Sequence, residues 1–378
     1  MLFTDPIVHY ITLNIPDPPD YGGMIDTYYR IQALHSLGVK IHLHCFTTDR
    51  KPTSNLEMLC ESVHYYPRKN GFLANCSFKP YIVNSRQSEI LLLHLLQDNY
   101  PIFFDGLHTT YYLNDKRLKD RVKVVRAHNI EHQYYFMLAK LELNLVKRVY
   151  FILEAIKLKI YETVIKKSTA CLTISMHEQQ YFKARYKNVV YLPPFHPFEN
   201  VESKPGSGKY ILFQGDLSVV ENIKTCKWLI KNVLCKTDFL CVIAGKNPTY
   251  QLRKLASKNV NTLIVANPTN EKMKKIINDA HIIILMALKN NGFKLKLLYA
   301  LYSGRFCLVN PEIIKNTGLE SLCTIAENES EFINNINQLM KKPFSLDLKN
   351  ERQSVMDNNF NNNSNAKRIV EIMFPQKP

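Results

Sequence analysis

Between residues 126 and 132 the chain reads Arg-Ala-His-Asn-Ile-Glu-His, a loop's worth of sequence holding two imidazoles, a carboxylate and a guanidinium. Imidazole titrates near neutrality and a carboxyl group can take or return a proton, so His128 and Glu131 suit acid, base or hydrogen-bonding work. The apolar run from Val122 to Arg126 predicts a strand, and in open αβ sheets ligands bind outside the carboxyl ends of strands. Asp105-Gly106-Leu107-His108 ends the preceding predicted strand in the same way. Asp105, His108, Arg126, Asn129 and His132 are therefore expected around one cleft, helix capping by Asn129 and Glu131 being the structural alternative. His128 to His132 also fits H-x-x-E-H, which makes a metallopeptidase a rival reading. Zinc-binding histidines of that kind need adjacent helical turns and a distal ligand, whereas His128 falls in the loop before the helix, so no metal is expected.

A second set of residues suits phosphate. Gly22-Gly23 lies between the first predicted strand and helix, where amides without a neighbouring Cβ can approach an anion. No third glycine of G-x-G-x-x-G and no Lys-Ser/Thr of a P-loop follows, which excludes both fingerprints and leaves no cofactor implied. In the second half, Gln214-Gly215-Asp216, Ala244-Gly245-Lys246 and Asn267-Pro268 end predicted strands on one edge, and Asn222 stands just before a helix as a cap or ligand contact. The same edge presents Asn291-Gly292, a turn pair at the mouth of an apolar-periodic helix that carries Lys294 and Lys296 in its first turn. The helix dipole disfavours cations there unless an anion is bound, so the pair favours a phosphate over simple solvated lysines. Gly304 stops the helix and Phe306 to Val309 form a buried strand.

The elements that must position these residues alternate strand and helix. Strands are predicted at Ile7 to Leu13, Val39 to Phe46, Ile102 to Asp105, Val122 to Arg126, Thr169 to Ile174 and Val189 to Leu192. Helices are predicted at Gly23 to Leu37, Gln87 to Leu96, Gln133 to Lys167 and His177 to Tyr186. Alternation of this kind builds a parallel sheet. Residues 1–195 then form a first domain, the Pro- and Gly-bearing stretch 196–208 a linker, 209–345 a second αβ domain with five further strands, and 346–378 terminal helices packing back on the first domain.

The chain has 378 residues, 46% of them apolar, enough for two domains with their own cores. Its start carries no basic n-region or long apolar segment, and no stretch is long enough to span a bilayer, so a cytoplasmic protein is expected. Nine cysteines without a Cys-x-x-Cys pair fit reduced thiols. Forty-nine Lys+Arg against 33 Asp+Glu leave a net charge of +16, which favours anionic partners. The densest basic run, Lys140 to Lys167, alternates with apolar residues as an amphipathic helix. A core-facing helix with a solvated basic side and docking on an anionic membrane face are both open to it.

Taken together, Pro19-Asp20-Tyr21-Gly22-Gly23 with Arg30 and Gly38, Arg126 to His132, Phe213 to Ser218 with Asn222, Val242 to Lys246, and Gly292 to Gly304 resemble the GT-B glycosyltransferases of the retaining group 1, family 4-like type. The likeness runs over nearly the whole chain and looks most like a branch common in Bacteroidetes surface-glycan and protein-glycosylation clusters. It implies two Rossmann-like domains facing a central cleft, the first binding a glycan or lipid-linked acceptor and the second a nucleotide-sugar donor, without metal. It implies that Gly22 and Gly23 approach the donor diphosphate, that His128 faces the transferring sugar with Glu131 nearby, and that Gly215, Gly245, Lys246, Lys294 and Lys296 surround the nucleotide. Asn291 and Tyr299 stand where the family's two E-x7-E glutamates usually stand, the second of which holds the ribose. A catalytically weakened relative, or a non-enzymatic protein binding anions or nucleic acid, is the alternative; nucleic acid is not the expected partner.

Overall fold

The computed structural model describes residues 6–71, 77–288 and 293–375. Two compact units divide the chain. Unit 1 comprises Met1–Pro197, Asn291–Phe293 and Phe360–Pro378, and unit 2 comprises Phe198–Asn290 and Lys294–Asn359.

Unit 1 holds seven parallel strands: β1 (Ile7–Thr12), β2 (Lys40–Thr47), β3 (Ser62–Pro67), β4 (Ile102–Asp105), β5 (Lys123–Ala127), β6 (Ala170–Thr173) and β7 (Val189–Tyr191), in the order β3-β2-β1-β4-β5-β6-β7. Parallel strands covered on both faces need apolar side chains on both, and β4 and β5 are buried at every position. Helix α1 (Gly22–Ser36) covers one face through Ile31 and Leu34. Phe46, Leu91, Phe104 and Val125 fill the other. Unit 2 repeats the plan with β8 (Tyr210–Gln214), β9 (Cys241–Gly245), β10 (Thr262–Ala266), β11 (Ala280–Leu285), β12 (Phe306–Val309) and β13 (Thr324–Ile325), in the order β10-β9-β8-β11-β12-β13. Both are parallel, Rossmann-like sheets, as expected.

Four details differ from the expectation. Strand β3, Ser-Val-His-Tyr-Tyr-Pro, is half polar because it is an edge, and β13 is only two residues long. The helix expected over 133–167 is broken into α2 (Glu131–Leu141) and α3 (Leu145–Tyr161), because Glu142 is extended and the Asn144 side chain accepts the Lys147 amide as a fresh N-cap. The expected linker belongs to unit 2 from Phe198 onward: Ser203 is buried against Leu301, Tyr302 and Gly304, and Gly206 bridges to Phe344. Of the two final helices, the first (Leu346–Phe360) lies in unit 2, where Arg352 donates to the Leu301 and Gly304 carbonyls. The second (Asn362–Met373) packs on unit 1 through Ala366, Ile369 and Met373.

Candidate functional site

A parallel sheet whose crossovers run both ways has a switch point where adjacent strands send their loops apart. In unit 1 this point lies between β1 and β4; Asp105 to His108 follows β4 there, and Arg126 to His132 follows the neighbouring β5. Asp105 closes β4 in register with Arg126 of β5. Helix α1 enters from β1 with Asp26 and Arg30 one turn apart on its buried face. Arg30 donates to Asp26, to Asp105 and to the Tyr10 hydroxyl, each at 2.6 Å. Arg126 donates to Asp26 at 3.2 and 3.3 Å and to the carbonyls of Leu192 and Pro193 at 2.6 and 3.1 Å. Thr27 donates to Asp105 at 2.5 Å, and the Phe195 amide donates to Asp26 at 2.7 Å.

Two carboxylates thus face two guanidiniums, all fully buried, so the quartet is charge-balanced where an unpaired ion would be prohibitive. Burial alone would raise the Asp105 pKa, but Arg30 and His128 outweigh it and hold the carboxyl well below the usual range. Against this base sits His128. Its Nε2 is 2.8 Å from Asp105 and its Nδ1 is 3.8 Å from Asp26, and its side chain keeps 11% of its exposure. Asp105 therefore fixes the ring through Nε2, and Nδ1 lies beyond hydrogen-bonding distance of Asp26.

Gly106 follows with φ of 86°, and a Cβ there would stand 3.3 Å from both His108 Nδ1 and His128 Cδ2. The positive φ and the two close imidazoles make this a position for glycine. His108 Nδ1 lies 3.9 Å from Glu131 and has no hydrogen-bond partner among the described residues. Burial first, and then Arg86, push the His108 pKa well below its ordinary value. Burial pushes Glu131 up to about 7, against the opposing hydrogen bond from Asn129. Burial thus favours the neutral form of both members of the pair.

Unit 2 places its switch point between β8 and β11. Here the backbone does the shaping. A Cβ on Gly245 would stand 1.7 Å from the Gly215 carbonyl oxygen, so the tips of β8 and β9 touch main chain to main chain. Asn222 lies inside helix α4 (Val220–Asn232) rather than before it, and its Nδ2 donates to the Asp216 carbonyl at 2.9 Å, clamping the loop. Lys246 is exposed at the tip. Helix α5 (Leu295–Ser303) begins with no side-chain cap and no acid in its first turn. Lys294 is its N-cap residue. Lys296 donates to the Met286 carbonyl at 3.1 Å, and burial lowers its pKa to about 8. Tyr299 packs edge-on against Phe198, ring centroids 4.8 Å apart. Asn291 and Gly292 lie outside the described residues.

Of the expected residues, the fold therefore joins Asp105, Arg126 and His128 in one network and His108, Asn129 and Glu131 beside it. Two expectations are corrected. Arg126 does not line an open cleft; it is wholly buried with its donors spent inside unit 1. His132 turns away to Glu162, 3.3 Å distant, so His128 and His132 serve different carboxylates. Among the described residues no group of three His, Cys, Asp or Glu is placed to hold a metal ion, and the two histidines of the H-x-x-E-H pattern turn to Asp105 and Glu162. Asp26 was not anticipated, although a charged pair at i, i+4 among Met24, Ile25, Thr27 and Ile31 is a readable signal. Asn310 and Glu221 were missed as well. Asn310 pairs with both main-chain groups of Ala287, and Glu221 accepts the Leu288 amide, so together they hold the loop after β11. An open cleft of about 790 Å³ lies along this edge, lined by Lys224, Trp228, Met286, Asn310 and Glu312 among others.

Residues 208–342 match the family described as glycosyl transferases group 1. An uncharacterised 44.6 kDa protein in the cps region of Klebsiella pneumoniae is 26% identical over 314 residues, covering 78% of this chain and 80% of the relative. A glycosyltransferase from Rickettsia africae shares the fold with a TM-score of 0.68 at 12% identity, covering 99% of this chain and all of its own. Sucrose-phosphate synthase from Thermosynechococcus elongatus gives 0.69 at 13% identity, with 97% and 98% covered. Anabaena HepE, in complex with UDP and glucose, gives 0.65 at 10% identity over the same shares. At such identities the structural likeness shows the fold, which is GT-B.

Proposed function

We propose that this chain, a GT-B fold whose second unit is a group 1 glycosyltransferase domain, moves a sugar from a nucleoside-diphosphate donor to a glycan or lipid-linked acceptor in polysaccharide assembly, with retention at the anomeric carbon. The observation that carries the reading is His128, fixed through Nε2 by a fully buried, charge-balanced base at the carboxyl edge of the unit 1 sheet and still 11% exposed. The cps-region relative supports the polysaccharide setting, and the UDP held by Anabaena HepE makes a uridine nucleotide the first donor to try.

In this reading the bond between the anomeric carbon and the diphosphate oxygen breaks as the acceptor oxygen bonds to that carbon on the same face, and the acceptor hydroxyl's proton passes to the departing diphosphate. The leaving diphosphate takes up negative charge, which the uncapped start of α5, Lys294, Lys296 and Lys246 in unit 2 are suited to meet; the start of α1 at Gly22 and Gly23 is a separate anion-suited helix end within unit 1. These cations stand in for a metal ion, so we expect activity to survive chelation. Asp105 orients His128, and Glu131, its pKa raised to about 7 by burial, is a carboxyl group in unit 1 able to hold a proton near neutral pH. Tyr299, held by Phe198, gives the ribose an aromatic or hydroxyl contact in place of a carboxylate, which favours weaker donor binding than a glutamate provides.

A thermal-shift series with UDP, GDP, ADP and random-sequence DNA at two salt concentrations tests the assignment, because a ligand that binds only the native state raises the melting temperature. One nucleotide should stabilise the protein selectively and with little salt dependence. Stabilisation by DNA alone, falling steeply with salt, would point to nucleic-acid binding instead.

A further inference from the structure

Helix α3 presents its apolar stripe to solvent. Leu145, Val149, Ile152, Leu153, Ile156 and Ile160 recur at helical spacing on one face, and all are exposed, Leu153 by 53% and Ile160 by 69%. The opposite face, Glu154, Ala155 and Leu158, is the buried one. The turn before the helix adds Leu141 and Leu143, the latter 94% exposed. A core-facing helix has the reverse pattern, and a contiguous apolar face of this length, about 25 Å for 17 residues, is what marks an interaction surface.

The charges around the stripe decide the partner. Lys140, Arg148 and Lys159 are exposed beside it. The acids of the same stretch are largely withdrawn: Glu154 is buried on the Tyr81 amide and Lys157, and Glu162 on Tyr181 and Tyr186. We infer that the α2–α3 hairpin is a docking surface for an anionic lipid bilayer, its apolar stripe entering the acyl boundary and Arg148 and Lys159 meeting lipid phosphates. A second copy of the chain fits less well, since pairing two such faces sets like charges together without exposed acids to offset them. The inference does not depend on sugar transfer, and its test uses no nucleotide.

The test is co-sedimentation of the full chain with vesicles of phosphatidylglycerol and phosphatidylcholine in equal parts, against pure phosphatidylcholine. The unmodified protein should favour the anionic vesicles. The double variant Leu153→Glu, Ile156→Glu should lose about tenfold or more of that partitioning with an unchanged melting temperature, because both side chains are exposed in the free protein. The double variant Arg148→Gln, Lys159→Gln should lose the preference for anionic over neutral vesicles. Absence of binding to anionic vesicles, undiminished binding by the glutamate variant, or a stable dimer that this variant converts to monomer would each overturn the inference.

Discussion

The two switch points are built by opposite means. Unit 1 fixes its site with side chains: Asp26, Arg30, Asp105 and Arg126 form a closed set of charges on which one imidazole is mounted. Unit 2 fixes its site with main chain: Gly215 and Gly245 bring strand tips into contact, while Asn222 and Asn310 imitate backbone partners. The first arrangement defines where a proton or a developing charge is met. The second closes main chain on main chain, the Gly215 and Leu217 amides donating to the Ala244 and Lys246 carbonyls, and makes few demands on side-chain identity beyond the glycines. The difference teaches that the two edges fail under different substitutions, charge loss in one and added volume in the other.

Breaking the comparison from the side of unit 1 should have the largest effect. Asp105→Asn leaves Arg30 short of a counter-ion in a dry environment and is expected to cost about 3–5 kcal/mol, read by denaturant unfolding. From the side of unit 2, Gly245→Ala forces the touching strand tips apart and should cost about 3 kcal/mol, together with nucleotide binding. Gly23→Ala is the control, since a Cβ there meets only Tyr21 at an ordinary 3.6 Å and stability should hold.

The comparison is sharpened by pH. Glu131 has its pKa raised from 4.5 to about 7, so the stability it contributes is fully present below pH 4.5 and is lost as pH rises through 7. Glu131→Gln should abolish that dependence, worth at most about 3 kcal/mol between pH 4.5 and pH 8 in chemical unfolding. The smallest effect is expected at Lys296, whose pKa is lowered to about 8 by burial. A bound diphosphate favours the ammonium form, so binding takes up a proton above pH 8, and affinity should fall by up to about tenfold per pH unit there. Titration of Lys296→Met should show a flat profile across the same range.

Much of this was readable in the residues. Strand-ending motifs at Asp105, Arg126 to His128, Gly215 and Gly245 marked the carboxyl edges of both sheets, because parallel sheets are written as apolar runs with polar stops. The inward commitment of Arg126 was not readable, since a guanidinium at a strand end looks the same whether it meets a ligand or a carboxylate on α1. Periodicity likewise carried α2 and α3 as one helix, because the Asn144 cap is a local hydrogen bond and leaves the apolar spacing intact. The direction in which the α3 stripe points depends on what unit 1 leaves uncovered, which spacing alone does not encode.

The account rests most heavily on His128 as the group that meets the reacting sugar. Release of nucleoside diphosphate from a panel of nucleotide sugars, measured for the unmodified protein and for His128→Ala, tests this directly. The account predicts turnover with one donor, a loss of about 100-fold or more in the variant, and unchanged nucleotide binding and melting temperature. Near-full turnover by a folded His128→Ala protein would contradict it.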